Sequence, residues 1–242
     1  MNALAALDRI RIVLTQPSHP GNIGAAARAM KTMGLSRLVL IDPVSFPHPD
    51  ASARASGATD VLDEAVLAVS LEQALQATVL TVAMTARRRE LAAPMLPVRE
   101  AAAELVSAAA FGDVAVVFGN ETHGLSNAEL GLCRHPAMIP ANPAYASLNL
   151  AAAVQVTCYE LRLAATGEVS TPSRQAQPAS FDDTERLFAH FERAMIESGF
   201  LDPVKPGRLM PRLRRLFARA RLEREEVNIL RGMLNALQNK VE

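Results

Sequence analysis

The sequence predicts an α/β protein with a parallel sheet, followed by a small all-α C-terminal extension. Over the first 165 residues, short apolar runs alternate with segments of helix length, as in α/β folds. The runs are almost continuously apolar, which is typical of parallel strands buried on both faces. A Gly-, Pro- and Ser-rich stretch then predicts a linker. The predicted boundaries are 1–166 for the α/β domain, 167–180 for the linker and 181–242 for the helical domain.

The individual elements follow from local patterns. The predicted strands are 10–14, 37–41, 79–83 and 114–118. A helix is predicted over 22–33, with Asn22 as a candidate N-cap and Gly34 after its C-terminus. A long helix over 148–165 ends at Gly167, and Ser147 sits where its N-cap is expected.

The helical extension is predicted from apolar spacing and from charge. A capping box at 126–129 opens a short helix within the α/β domain. Beyond the linker, a basic helix is predicted over 208–221, followed by an amphipathic helix with an apolar stripe. The stripe residues are Val227, Leu230, Leu234, Leu237 and Val241.

The charge is distributed unevenly along the chain. The 25 basic and 25 acidic residues cancel, which taken alone argues against a polyanionic partner. Residues 205–242, however, contain ten Lys/Arg and four Asp/Glu, a net charge of +6. The remainder contains fifteen and twenty-one, a net charge of −6. The basic tail therefore favours a nucleic-acid contact, although it could instead be solvated or pair with the acidic domain.

The sequence argues against several classes of protein. The chain has no apolar run of 18 residues and no signal-peptide pattern at its N-terminus, so we expect no membrane association. Two cysteines without metal-ligand spacing fit a reducing, cytoplasmic location. The common dinucleotide, P-loop, hydrolase and zinc-protease motifs are missing from the sequence, and the scattered histidines predict no metal site.

Three polar loops each follow a predicted strand or apolar run, where α/β sheets bind ligands. The first, at 15–28, includes Asn22 and Arg28; the second, at 117–126, includes Glu121 between two glycines. The third, at 138–150, includes Ser147 and Asn149. Each loop taken alone is also explained by a helix cap or a tight turn.

Together, the three loops resemble the SPOUT superfamily of RNA methyltransferases, in its 2′-O-ribose branch. The matching patterns are N-x-G-A-x-x-R at 22–28, F-G-N-E-x-x-G-L at 118–125 and I-P…S-L-N-L-A-x-A at 139–153. Nearly the whole chain except the linker resembles one group within this superfamily. These are the TrmJ-type bacterial enzymes, which methylate cytidine or uridine at position 32 of the tRNA anticodon loop. The further segments that carry this likeness are 28–34, 141–145, 213–220 and 230–233.

The resemblance implies a deep trefoil knot, an exception to the rule against knotted chains, and a homodimer in which the partner completes each site. It also implies S-adenosyl-L-methionine as cofactor, S-adenosyl-L-homocysteine as product, and no metal. The positions implied to bind the cofactor are Met84, Thr85, Ala86, Gly119, Ile139, Ala146, Ser147 and Leu148.

Arg28 is the residue that the family motif places at the proton-transfer step. A free guanidinium is a poor base because it keeps its proton at neutral pH. Arg28 could bind a flanking phosphate and stabilise the developing alkoxide, or accept the proton when desolvated and coupled to that phosphate. The resemblance implies that Glu121, Asn22, Ser147 and Asn149 orient Arg28 or the ribose.

The basic tail is expected to hold tRNA phosphates. The arginines expected to do so are Arg208, Arg212, Arg214, Arg215, Arg219 and Arg221. Three alternatives stay open: a methyltransferase of ribosomal RNA, a catalytically silent RNA-binding protein on the same scaffold and, more distantly, a Rossmann oxidoreductase.

Overall fold

A computed structural model describes residues 3–86, 95–167 and 177–238, and within these ranges it contains a seven-stranded parallel sheet. The strand order is β3-β2-β1-β6-β4-β7-β5. All strand pairs are parallel, so the carboxyl ends of the central strands open at one edge. The strands are β1 (Ile10–Thr15), β2 (Leu38–Ile41), β3 (Val66–Ala68), β4 (Thr78–Met84), β5 (Leu96–Pro97), β6 (Asp113–Phe118) and β7 (His135–Met138).

Ten α-helices lie within the described ranges. Helices α1 to α7 belong to the part of the chain that contains the sheet, and α8 to α10 follow it. They are α1 (Pro20–Met33), α2 (Pro49–Ala55), α3 (Thr59–Asp63), α4 (Leu71–Leu75), α5 (Val98–Ala108), α6 (Asn127–Leu132), α7 (Leu150–Thr166), α8 (Phe181–Glu197), α9 (Leu209–Ala220) and α10 (Arg224–Gln238). None of the described helices is long and apolar enough to cross a bilayer.

The four predicted strands are confirmed as β1, β2, β4 and β6. Their alternate side chains enter two different cores: Ile12 and Leu14 pack with one cluster, while Val13 packs with the other. Burial on both faces explains why these runs are continuously apolar. Strands β3, β5 and β7 were not predicted; they are only two to four residues long, too short to show a periodic pattern.

Two helix starts differ from the prediction. Helix α1 begins at Pro20 with His19 as N-cap, so the assignment of Asn22 as N-cap was wrong. Pro20 suits the first helical turn because its φ is fixed and it needs no hydrogen-bond partner for its nitrogen. Helix α7 is capped by Asn149 and not by Ser147, since the Asn149 Oδ1 accepts from the backbone N–H groups of Ala151 and Ala152.

The other predicted signals for the ends of helices are confirmed. Gly34 ends α1 with φ of 86°, in the left-handed region that favours glycine. The capping box at α6 has both of its reciprocal hydrogen bonds, between Ser126 and Glu129. Helix α9 matches the predicted basic helix within one residue at each end.

The C-terminal helices have a small core of their own. It contains Ala179, Leu187, Leu222 and Val227, with partly buried residues of α8, α9 and α10 around it. The predicted stripe on α10 is wrong at Leu237, which is exposed. Val241 and most of the predicted linker, residues 168–176, lie outside the described residues.

Helices α1 and α2 approach each other closely at Gly24, where there is no space for a side chain. A Cβ at this position would lie 2.0 Å from the backbone oxygen of Ala51, so the two helices would have to move apart. We expect Gly24→Ala to lower the free energy of unfolding by about 3 kcal/mol, measured by urea denaturation.

Gly21→Ala is the matched control in the same helix. Its Cβ would meet only the flexible side chain of Arg54, at 3.6 Å, so we expect a change of less than about 1 kcal/mol. Equal losses in the two variants would contradict the packing explanation.

Candidate functional site

A pocket opens at the carboxyl ends of β4, β6 and β7. Its empty volume is about 880 Å³, including the space at its open mouth. Buried apolar side chains such as Leu125 and Leu150 form part of its wall, and polar groups including Glu121 lie alongside them. The pocket brings together all the positions expected to bind the cofactor, namely Met84, Thr85, Ala86, Gly119, Ile139, Ala146, Ser147 and Leu148.

The loop between the two glycines is folded tightly against itself. A Cβ at Gly119 would lie 2.2 Å from the carbonyl carbon of Gly124, so only glycine fits there without a shift of the backbone. A β-bridge joins Asn120 to Gly124, whose φ is 67°. The Asn120 Nδ2 donates to the backbone oxygen of Gln16 at 2.7 Å. The absent side chain at Gly119 thus allows the protein's own backbone to close this pocket wall.

Glu121 is the centre of a hydrogen-bond network between this loop and the start of α1. Its Oε2 accepts from the backbone nitrogen and the hydroxyl of Ser18, both at 2.9 Å. Its Oε1 accepts from the Asn22 Nδ2 at 2.9 Å and from the His19 nitrogen at 3.3 Å. A carboxylate is the only ordinary side chain that accepts at both oxygens, so the geometry requires Glu121 to be ionised.

The electrostatics of Glu121 agree with this geometry. Partial burial alone would raise the pKa of its carboxyl group, but hydrogen bonds from Asn22 and Ser18 outweigh that effect and lower the pKa to about 2. Glu121 therefore carries a negative charge throughout the neutral range. It is a fixed acceptor and cannot serve as a proton donor near pH 7.

Asn22 connects Glu121 to the third polar loop by hydrogen bonds. Its Nδ2 donates to Glu121, and its Oδ1 accepts from the Asn149 Nδ2 at 2.9 Å. Asn149 in turn caps α7. The network thus fixes the orientation of both amides and joins the three polar loops that the sequence analysis selected.

Arg28 and Ser147 are both exposed. Arg28 lies six residues after Asn22, about 9 Å farther along α1. Its side chain has no hydrogen bond or ion pair with any residue that the structure describes, so its charge is available to a ligand. Ser147 lines the pocket with its neighbours Ala146 and Leu148.

The six arginines of the tail have different environments. Arg214 forms a two-pronged ion pair with Glu185 and lies over the ring of Phe188, with 4.5 Å between guanidinium carbon and ring centroid. Arg221 pairs with Glu104 of α5, and Arg215 is half-buried. The three exposed arginines without a side-chain partner among the described residues are Arg208, Arg212 and Arg219. Part of the basic tail therefore holds the protein together, as the alternative interpretation of its charge anticipated.

Ser18 is a site residue that the sequence analysis missed. It supplies two of the four donors to Glu121, yet it precedes the motif that carried the resemblance. A hydroxyl residue in a loop before a helix is usually a cap. No local signal distinguishes a residue that binds a carboxylate 103 positions away. In the described ranges, no group of three His, Cys, Asp or Glu side chains could hold a metal ion.

Comparison with known proteins identifies relatives over nearly the full length. The model of the SpoU rRNA Methylase family matches residues 9–159, and that of the tRNA methyltransferase TrmJ C-terminal domain matches residues 182–242. A tRNA (cytidine/uridine/adenosine-2′-O-)-methyltransferase TrmJ of Pseudomonas aeruginosa is 51% identical, over 96% of this chain and 95% of its own.

Two further relatives agree. A tRNA (cytidine/uridine-2′-O-)-methyltransferase TrmJ of Pectobacterium atrosepticum is 48% identical, over 96% of this chain and 98% of its own. The crystal structure of TrmJ from Z. mobilis superposes with a TM-score of 0.83 at 31% identity, covering 94% of this chain and 98% of that one. The chain therefore belongs to the SpoU methylase family and, within it, to the TrmJ tRNA methyltransferases.

Proposed function

We propose that the protein transfers a methyl group from S-adenosyl-L-methionine to the ribose 2′-oxygen of a cytidine or uridine in tRNA, at nucleotide 32 of the anticodon loop. One observation carries the proposal: the pocket lined by the expected cofactor residues adjoins the Glu121–Asn22–Asn149 network. A cofactor site and a set of fixed polar groups then face the same place, as a transfer reaction requires.

The residues that line the pocket fit the cofactor. The pocket has apolar surface for an adenine ring, to which Ile139, Leu148 and Leu150 contribute, and polar residues such as Thr85 line it as well. S-adenosyl-L-methionine supplies a methyl group already activated by its sulfonium, so no metal is needed. S-adenosyl-L-homocysteine is the product.

The protein's own residues act on the ribose 2′-oxygen, which is the nucleophile of this reaction. Arg28, exposed and without a partner among the described residues, binds a phosphate beside the target ribose and stabilises the negative charge that develops on the 2′-oxygen. Glu121 holds Asn22 and the start of α1, and so fixes the position of the helix that bears Arg28. Ser147 lines the pocket, where its hydroxyl orients the ribose, and Asn149 holds Asn22 in position.

The C-terminal helices supply affinity for RNA. Arg208, Arg212 and Arg219 are free to contact phosphates, and such contacts weaken as salt is added. We also propose a homodimer formed through α7, which exposes Tyr159 and Leu163 one turn apart on the same face. The proposal also includes a trefoil knot around the pocket and a cytoplasmic location. It divides the chain into an α/β domain over 1–166, a linker over 167–180 and a helical domain over 181–242.

Methyl transfer from labelled S-adenosyl-L-methionine to total RNA tests the function. We expect label in tRNA, and nuclease mapping should place it on the 2′-oxygen of nucleotide 32. A transcript with a 2′-deoxy nucleotide at that position is the matched control and should accept no label. Label confined to ribosomal RNA, or to another tRNA position, would contradict the proposal.

A further inference from the structure

A second cavity lies at the opposite edge of the sheet from the proposed catalytic pocket. It opens beside the amino end of β7 and the C-terminal half of α5, and Pro178, Arg221 and Glu223 close it from the C-terminal side. Its empty volume is about 1250 Å³. None of the proposed catalytic or cofactor residues lines it.

His135 is buried at the wall of this cavity, with 8% of its side chain exposed. Its Nε2 has no hydrogen-bond partner among the residues that the structure describes. The nearest carboxylate oxygen, of Glu104, lies 3.7 Å away, which is too far for a hydrogen bond. Burial, together with repulsion from Arg134 and Arg221, lowers the pKa of His135 to about 4, so the ring is neutral at pH 7. A buried ring nitrogen without a partner indicates a site for an additional polar group.

Arg134 presents a positive charge at the same place. Its side chain is half-buried, and within the described residues its guanidinium has neither a hydrogen bond nor an ion pair. Burial and repulsion from Arg221 lower the pKa of Arg134 to about 10, so it remains protonated at pH 7. Burying a charge without a partner is costly, which favours an anion as its counterpart.

Among the described residues, no nearby carboxylate forms an ion pair with Arg134. Glu104 attracts Arg134 from beyond ion-pair distance, and it already forms an ion pair with Arg221. Glu223 lies at the rim of the cavity. The neighbouring walls are apolar, formed by Leu80, Ala108 and Phe111 among others. Within the described residues, the cavity thus combines one guanidinium without a hydrogen bond or ion pair, one ring nitrogen without a hydrogen bond, and apolar surface.

We propose that this cavity binds a phosphate group, with the Arg134 guanidinium and the His135 Nε2–H as its donors. The several oxygens of a phosphate can accept from both donors at once. The apolar walls accommodate the nucleoside or other carbon skeleton that carries the phosphate. Two sources share this chemistry: a phosphodiester of an RNA strand, and a small phosphorylated metabolite.

Ring resonances of ¹⁵N-labelled histidine report on the site directly, without methyl transfer. Inorganic phosphate is titrated at constant ionic strength, and the His135 signal is identified by its loss in His135→Gln. We expect a saturable shift of the His135 Nε2 signal, while the exposed His19 and His123 serve as internal references. A His135 signal that does not move in the wild-type protein would overturn the proposal.

The variant Arg134→Gln removes the charge, and Arg193→Gln is the matched control at an exposed arginine of α8. We expect phosphate affinity at His135 to fall at least tenfold in Arg134→Gln and to stay within twofold in Arg193→Gln. Circular dichroism and Tm check that both variants fold, and Arg134→Lys, which keeps the charge, should retain measurable binding. Equal titrations in Arg134→Gln and wild type would refute the site.

A short oligoribonucleotide without terminal phosphates distinguishes the two sources. If it shifts the His135 signal as inorganic phosphate does, the ligand is an RNA phosphodiester. If only inorganic phosphate shifts the signal, the ligand is a small phosphorylated molecule. Either result keeps the site, and neither depends on whether the methyl transfer proposed above occurs.

Discussion

Arg28→Ala is expected to lower kcat for methyl transfer about 10²–10³-fold, the usual cost of removing a group that stabilises charge in the transition state. The side chain is exposed and has no partner among the described residues, so its removal leaves no buried group unsatisfied. Cofactor affinity and Tm should therefore stay near the wild-type values. Single-turnover methylation at saturating tRNA measures the rate, and calorimetry measures cofactor binding.

The control is Arg193→Ala, at an exposed arginine on α8 that is remote in sequence from the three polar loops. Its single-turnover rate should match that of the wild type. Arg28→Lys retains the charge without the planar fork of donors, and an intermediate rate is expected. A fully active Arg28→Ala would show that Arg28 takes no part in the reaction.

Glu121→Gln is expected to impair both stability and activity. An amide offers one acceptor and one donor where the site requires two acceptors. At least one of the Ser18 and Asn22 donors then loses its bond, and Asn22 no longer holds its orientation toward Asn149. We expect kcat to fall by at least tenfold, because the start of α1 and the third loop lose their connection.

The stability loss should depend on pH in a defined direction. The pKa of Glu121 is about 2 in the folded protein, below its ordinary value of 4.5. Its ionised form therefore stabilises the fold fully above about pH 5, and this contribution is lost as the pH falls from 4.5 toward 2. After allowance for solvent screening we expect about 1–2 kcal/mol.

Urea denaturation of both proteins between pH 7 and pH 2.5 measures this effect. The difference between wild type and Glu121→Gln should be largest near neutrality and shrink in acid. Glu64→Gln is the control, since Glu64 is exposed and its carboxylate makes no hydrogen bond within the described residues. A difference that stays constant with pH would contradict the ionised-acceptor role of Glu121.

The sequence by itself determined the main elements of the α/β fold. The strands β1, β2, β4 and β6, the end of α1 at Gly34 and the capping box of α6 depend on residues within a few positions of one another. Such signals are local, because burial on both faces of a strand and the geometry of a helix end act on neighbouring residues. The resemblance of three sequence motifs to the SPOUT superfamily also predicted which residues line the pocket.

Only the tertiary structure decided which of these residues touch each other. Ser18 and Glu121 are 103 positions apart, and Asn22 and Asn149 are 127 apart. Their contacts exist because parallel pairing brings the carboxyl ends of β1 and β6 side by side. The tail arginines likewise divide into paired and free residues according to which carboxylates the packing brings near them. Local patterns encode backbone conformation and burial, but a hydrogen bond between distant loops depends on the whole packed sheet, which no short stretch of sequence specifies.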